Sequence, residues 1–401
     1  MAEHDFGSVE RRDTDSVKWN LYAADVTPAW IAEADFKPPQ AVIDALVARA
    51  QHGMFGYTAA IGHASAPGAL WELPRVAEII VERLWRRYQW RVHPDELVYL
   101  PGVVAGFNVA CRIAGEPGDA IMMHAPCYGP IAKAPANQGR RATYTQLTLS
   151  QDSTGCLHYV HDDADMQANL DTPTAMFLLC NPHNPTGRAL QRHELEQIAA
   201  RCLANNMLIC SDEIHAEILL GDTVHIPIAT VSPEVARRTI TLISPSKSFN
   251  IPGLGFSVAI IQDPALRATY MAAMQGLVAS PQIFGYVGAM AAYQHGDDWL
   301  RQVNAYYMAN RDFTLEYLRT HMPQLRSTRA EATYLAWIDC RQAELPMPAK
   351  AFFETHAKVA LADGAGFGEA GTGFVRLTMA TQRERLEHIL HAMALALKRF
   401  G

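Results

Sequence analysis

The sequence predicts an α/β protein built on a mostly parallel, buried sheet and followed by a smaller α+β domain. Three observations predict this. From about residue 96 to 262, apolar strand-like runs alternate with helical patterns. Those runs are apolar throughout, as in a sheet covered on both faces. Beyond about residue 285 the alternation stops and long helical patterns take over.

The elements follow in order. Glu96–Leu100 reads as a strand, and Pro101-Gly102 turns it into the helical run Val104–Ala114. Ala120–Met123 is a strand ending at Pro126, and Ala175–Cys180 is a fully apolar one. Leu190–Asn205 is a helix with Leu190, Leu195, Ile198, Ala199 and Cys202 on one face. Met207–Cys210, Thr239–Ile243 and Phe256–Ile261 complete the buried strands. Pro281–Thr320 is mostly helical, with an interruption near Gly296-Asp297. Tyr334–Asp339, a glycine-rich loop over 364–373 and Phe374–Met379 then predict a small strand-and-helix domain, closed by the amphipathic helix Arg383–Phe400. The expected division is an N-terminal segment over 1–45 packing with the small domain, a large domain over 46–285 and a small C-terminal domain over 286–401.

Composition excludes several classes. Charged residues make up 19% and apolar ones 49%, which fits a globular enzyme. The net charge of −7 is interspersed and forms no basic stripe, so no nucleic-acid partner is expected. The polar N-terminus is no signal peptide, and no apolar run is long enough to span a bilayer. The seven cysteines are scattered without a CxxC, which predicts reduced thiols in a cytoplasm. The sixteen histidines are dispersed and form no HExxH, so no metal is expected.

Three motifs each end an apolar run: Asn181-Pro182-His183-Asn184-Pro185-Thr186-Gly187, Ser211-Asp212-Glu213-Ile214-His215 and Ser244-Pro245-Ser246-Lys247-Ser248-Phe249-Asn250. A lone lysine is ordinarily a surface residue, but Lys247 follows a buried strand and stands among serines. A lysine that forms a Schiff base must hold its amine where it can be neutral, and the same amine can serve as general base. Asp212 taken alone is a loop acid. Beside Lys247 it can keep a pyridine nitrogen protonated. Asn184 alone is turn chemistry, and in this company its amide can donate to a phenolic oxygen. Ligands bind at the carboxyl ends of strands in open α/β sheets, where all three are placed. Together they are what a pyridoxal 5'-phosphate (PLP) site requires. Gly102, Val103 and Val104 open a helix whose free N–H groups suit a phosphate dianion, with hydroxyls from Ser244 and Ser246 in reach. Tyr128 stands at another strand end and can stack on a ring. Arg376, between apolar neighbours on a strand, needs its charge met, either by a structural acid or by a substrate carboxylate.

These residues together resemble the fold-type I PLP-dependent transferases of the class I/II aminotransferase family, over essentially the whole chain. The closer resemblance is to the bacterial cystathionine β-lyase-like C–S lyases. It is carried by Trp30-Ile31-Ala32-Glu33-Ala34-Asp35-Phe36, Ser246 to Leu254, Glu331-Ala332-Thr333-Tyr334-Leu335-Ala336-Trp337 and Phe374-Val375-Arg376-Leu377. The resemblance implies a large domain with a mostly parallel seven-stranded sheet. It implies Lys247 as the Schiff-base lysine, Asp212 at the pyridine nitrogen, Asn184 and His215 near the phenolic oxygen, and Tyr128 on the ring. Arg376, with Tyr128 and Asn184, would bind substrate. Tyr57, in Phe55-Gly56-Tyr57-Thr58, would reach the phosphate of a neighbouring subunit, which implies a homodimer.

Some positions depart from the family pattern. Gly255 stands eight residues after the lysine, where many aminotransferases carry arginine, and this favours the lyase branch. Glu33 replaces an aspartate, and Thr378 and Thr381 replace an asparagine and a cysteine. Their expected place beside the substrate implies an atypical one. The leading expectation is α,β-elimination from L-cystathionine or another cysteine S-conjugate. The alternatives are transamination, decarboxylation or oxidative deamination of an S-conjugated amino acid, and a non-catalytic regulatory role, which the complete residue set disfavours.

Overall fold

Apolar runs without polar alternation become the interior of one eight-stranded sheet in the computed structural model, which describes residues 4, 6, 7, 9, 11, 12, 14–56, 72–170 and 173–400. Its strands are β1 (Leu97–Leu100), β2 (Ala120–Ala125), β3 (Arg141–Gln151), β4 (Leu157–His161), β5 (Thr174–Cys180), β6 (Leu208–Asp212), β7 (Thr239–Ile243) and β8 (Ser257–Ile260). The spatial order is β1-β8-β7-β6-β5-β2-β3-β4. From β7 through β6, β5 and β2 to β3 every pairing is parallel.

Two features of this mostly parallel sheet have local causes. β8 runs antiparallel to both β7 and β1. The short link from β7 holds only turns, too little for the crossover that a parallel neighbour requires. The sheet also has eight strands rather than seven. The extra strand, β4, returns antiparallel to β3 through a turn in which Asp152 Oδ1 accepts from the backbone N–H groups of Thr154 and Cys156. β3 is largely polar and its outer half is exposed, so it lacks the apolar signature of its neighbours.

Helix α1 (Val103–Ile113) follows β1, and helix α2 (Arg192–Ala204) lies between β5 and β6. On α2 the buried positions Leu195, Ile198, Ala199 and Cys202 recur at helical spacing and pack with Phe177, Leu179 and Ile209 of the sheet. Helices α3 (Ile283–His295) and α4 (Asp297–His321) flank Gly296, where an added Cβ would come within 2.5 Å of the Ala292 carbonyl oxygen and of the Phe249 ring. A second sheet is built from β9 (Arg326–Ser327), β10 (Leu335–Asp339), β11 (Ala362–Asp363) and β12 (Phe374–Thr378), in the order β9-β10-β12-β11. Helix α5 (Arg383–Phe400) packs its Leu386, Ile389, Leu390 and Met393 against Val375 and Leu377 of this sheet.

The stretch that precedes both sheets makes a separate two-stranded pairing. Thr27–Pro28 pairs with Val359–Ala360, and Trp30–Phe36 then runs without regular structure between the smaller sheet and the turn after β7. Among the described residues no helix is long and apolar enough to cross a membrane.

Candidate active site

The carboxyl ends of β5, β6 and β7 open into a cavity of about 670 Å³. Its lining includes Val103, Val104, Tyr128, Asn184, Asp212, His215, Ser246, Lys247 and Arg376, and so unites nine of the residues singled out in the sequence. Ser244 does not line it. Its hydroxyl donates to the Phe256 carbonyl at 2.6 Å and accepts from the Ser246 N–H at 3.1 Å, which starts the helical turn Pro245–Ser248 that carries Lys247. Tyr57 lies outside the described residues. Glu33, Thr378 and Thr381 are also absent from the lining. Glu33 pairs with Arg11, and the Thr378 hydroxyl donates to the Ile31 carbonyl at 2.8 Å. None of the three thus reaches the cavity wall, although the Glu33 charge acts on Lys247.

Asp212 is the last residue of β6, in register with Cys180 of β5 and Leu242 of β7. Its Oδ1 accepts from the Ile214 N–H at 3.1 Å, and no cation is paired with it among the described residues. Burial pushes its pKa up to about 7, against the pull of that N–H and of Lys247. Lys247 touches solvent through the cavity, yet the surrounding protein lowers its pKa to about 8, assisted by Arg376. Its Nζ donates to the Ala32 carbonyl at 2.6 Å. Burial holds His215 neutral, with a pKa lowered to about 3, and its Nδ1 has no partner.

Arg376 sits on β12 opposite Trp337 of β10 and is 5% exposed. One terminal nitrogen donates to Asn184 Oδ1 at 2.9 Å and the other to the Trp30 carbonyl at 2.8 Å. Its Nε is buried without a partner, and no described carboxylate pairs with it. Burial lowers its pKa to about 10. A buried guanidinium held only by neutral oxygens is costly unless an anion joins it.

These groups fit PLP. A protonated ring nitrogen would restore the charge that Asp212 lacks, and the Asn184 oxygen bonded to Arg376 leaves that amide's NH2 for a ring oxygen. An added Cβ at Gly102 would meet no protein atom within 4 Å, so the N-terminus of α1 faces open space. The first N–H groups of a helix have no acceptor within it and suit a phosphate. Among the described residues no cluster of three or more His, Cys, Asp or Glu could hold a metal ion.

Sequence reasoning assigned no role to Tyr22, Trp30, Ala32, Lys350, Asp363 or Phe367, which also line the cavity. The Trp30–Phe36 segment stood out only through its resemblance. A backbone carbonyl that receives a distant lysine leaves no mark in residue type.

A half-buried lysine and an unpaired aspartate at the strand ends of the larger sheet thus share one cavity with an unpaired arginine from the smaller sheet. The family model for aminotransferase class I and II matches residues 31–393. Cystathionine beta-lyase PatB of Bacillus subtilis is 32% identical over 96% of this chain and 98% of its own length. The crystal structure of OvoB superposes with a TM-score of 0.91 at 37% identity, covering 100% of both chains. The PLP-bound C–S lyase from Staphylococcus hominis gives 0.89 at 28% identity over 99% of each. The chain belongs to the class I and II aminotransferase family, in its cystathionine β-lyase-like branch.

Proposed function

We propose that this protein is a PLP-dependent C–S lyase that performs α,β-elimination on L-cystathionine or another cysteine S-conjugate. The S-conjugate and one water yield a thiol, pyruvate and ammonium. The observation that carries the reading is the convergence of Lys247, Asp212 and Arg376 on one cavity, none of them ion-paired among the described residues. The branch of relatives favours elimination, and Gly255 in place of an arginine agrees with it.

Val103, Val104 and Ser246 would hold the cofactor phosphate, Asp212 its ring nitrogen, Asn184 and His215 its phenolic side, and Tyr128 its ring face. When bound, PLP supplies an electron sink for negative charge at the substrate Cα. Arg376 binds the substrate carboxylate, which meets its unpaired Nε and orients the Cα–H bond. Lys247, with a pKa of about 8, keeps roughly a tenth of its amine neutral at pH 7, enough to take the Cα proton. His215, neutral and buried, adds no competing positive charge.

The partner we propose is a second copy of the chain, with Tyr57 reaching the neighbouring site. Met54, Phe55 and Leu277 are large apolar side chains 58–63% exposed, and covering them would be favourable. The described cysteines are all free, which agrees with a reducing cytoplasm.

Incubation with L-cystathionine, with and without an α-keto acid acceptor, tests the reaction. The expected result is pyruvate and free thiol in equal amounts without acceptor. Turnover only when acceptor is present would identify a transaminase instead.

A further inference from the structure

Lys247 and Arg376, the two groups that would meet substrate on either side of its Cα, both donate to one short stretch of backbone. Lys247 Nζ reaches the Ala32 carbonyl at 2.6 Å, and an Arg376 terminal nitrogen reaches the Trp30 carbonyl at 2.8 Å. The two carbonyls are two residues apart. Between them the Ile31 carbonyl receives Thr378, and Ala32 also receives the Tyr334 hydroxyl at 3.1 Å. This stretch therefore fixes the spacing between base and carboxylate grip, but only if it is itself held. It belongs to no helix or strand, so no regular ladder holds it.

One side chain ties this stretch to the lysine turn. Asn250 lies three residues after Lys247. Its Oδ1 accepts from the Ala34 N–H at 3.1 Å, while its Nδ2 donates to the carbonyls of Ala34 at 3.0 Å and Phe36 at 2.6 Å. The amide thus imitates a neighbouring strand. Asn250 also has a φ of 55°, a left-handed conformation that asparagine tolerates better than most residues. The other side of the stretch is anchored by the buried Asp35, which accepts from Lys18 at 2.9 Å and Trp19 at 3.1 Å.

We propose that Asn250 is a positioning residue: by clamping the backbone around Ala34 to the turn that carries Lys247, it sets the separation of Lys247 from Arg376. The inference rests on the reading that these two groups face one substrate. It goes beyond that reading by naming what holds them in register.

Two variants separate the clamp from the backbone conformation. Asn250→Gly keeps the left-handed φ and removes all three side-chain bonds. Asn250→Asp keeps the side chain's size but turns a carboxylate toward two carbonyls. Hydrogen–deuterium exchange of the cofactor-loaded protein should show the Ala34 amide exchanging about tenfold faster or more in Asn250→Gly, independent of any assay of the reaction, and less so in Asn250→Asp, whose carboxylate still accepts from that amide. With a cysteine S-conjugate, kcat should fall by about tenfold or more, and by more than KM rises, because the reacting groups are misaligned rather than lost. Should the glycine variant fail to fold, the aspartate variant, which loses both Nδ2 bonds, still carries the kinetic readout. Wild-type exchange at Ala34 in Asn250→Gly would overturn the proposal, as would faster exchange there with unchanged kcat and KM. Absence of thiol release by the wild-type enzyme would instead refute the lyase reading and leave the exchange result to judge the clamp.

Discussion

Two groups of buried or half-buried charge are treated in opposite ways. Around Arg188 each acid and base has its counterpart. One terminal nitrogen donates to both oxygens of Glu331 at 2.7 Å and the other to Glu194 at 2.6 Å. Glu194 also accepts from the backbone N–H groups of His161 and Gln191. In the cavity, Asp212 and Arg376 are as deeply set and Lys247 is half-buried, yet none of the three is ion-paired among the described residues. In the first arrangement the charges are met within the protein, although Arg188 Nε itself has no hydrogen-bond partner. The second is complete only with ligands, so its pKa values stand displaced toward neutrality. Unmet charge, more than residue type, distinguishes the candidate site from the scaffold beside it.

This contrast can be broken by substitution. Arg188→Ala would leave Glu194 buried without its cation and should lower unfolding stability by about 3–5 kcal/mol, read from urea denaturation. An unchanged midpoint would mean the paired network does not support the fold. Arg376→Ala should act on function instead. We expect kcat/KM to fall about 100-fold, mainly through KM, because a charge-assisted carboxylate contact is lost, while the unfolding midpoint moves little. An unaltered KM would move the carboxylate site elsewhere.

Asp212→Asn sharpens the comparison through pH. The folded-state pKa of Asp212, about 7, lies above its ordinary value of 3.8. Between those values the folded cofactor-free protein keeps a proton that the unfolded chain has lost. Stability therefore falls as pH rises across that window and stays lower above it. The asparagine variant, free of this term, should match wild type near pH 4 and exceed it at pH 8 by up to a few kcal/mol, measured on cofactor-free protein. Equal stability at pH 8 would show that the aspartate's charge is already met.

Much of the site was legible because strand ends are legible. Apolar runs closed by Asn-Pro, Ser-Asp and Ser-Pro-Ser-Lys placed Asn184, Asp212 and Lys247 together before any coordinates. The strand Phe374–Thr378 likewise exposed Arg376 as a charge out of place. The direction of β8 and the existence of β4 were less legible. One depends on the length of a connection and the other on an edge strand with polar faces. Least legible were the carbonyls of Trp30 and Ala32 and the amide of Asn250. Their partners lie hundreds of residues away along the chain, and their chemistry is common to every residue or to any turn asparagine.

The central claim is that the unmet charges await PLP, bound covalently through Lys247. Its most direct test is borohydride reduction of the PLP-loaded protein, followed by proteolysis and mass spectrometry of the labelled peptide. The account predicts the added mass on Lys247 and its absence from Lys247→Ala. Label on another lysine, or none under conditions where the protein turns over substrate, would contradict it.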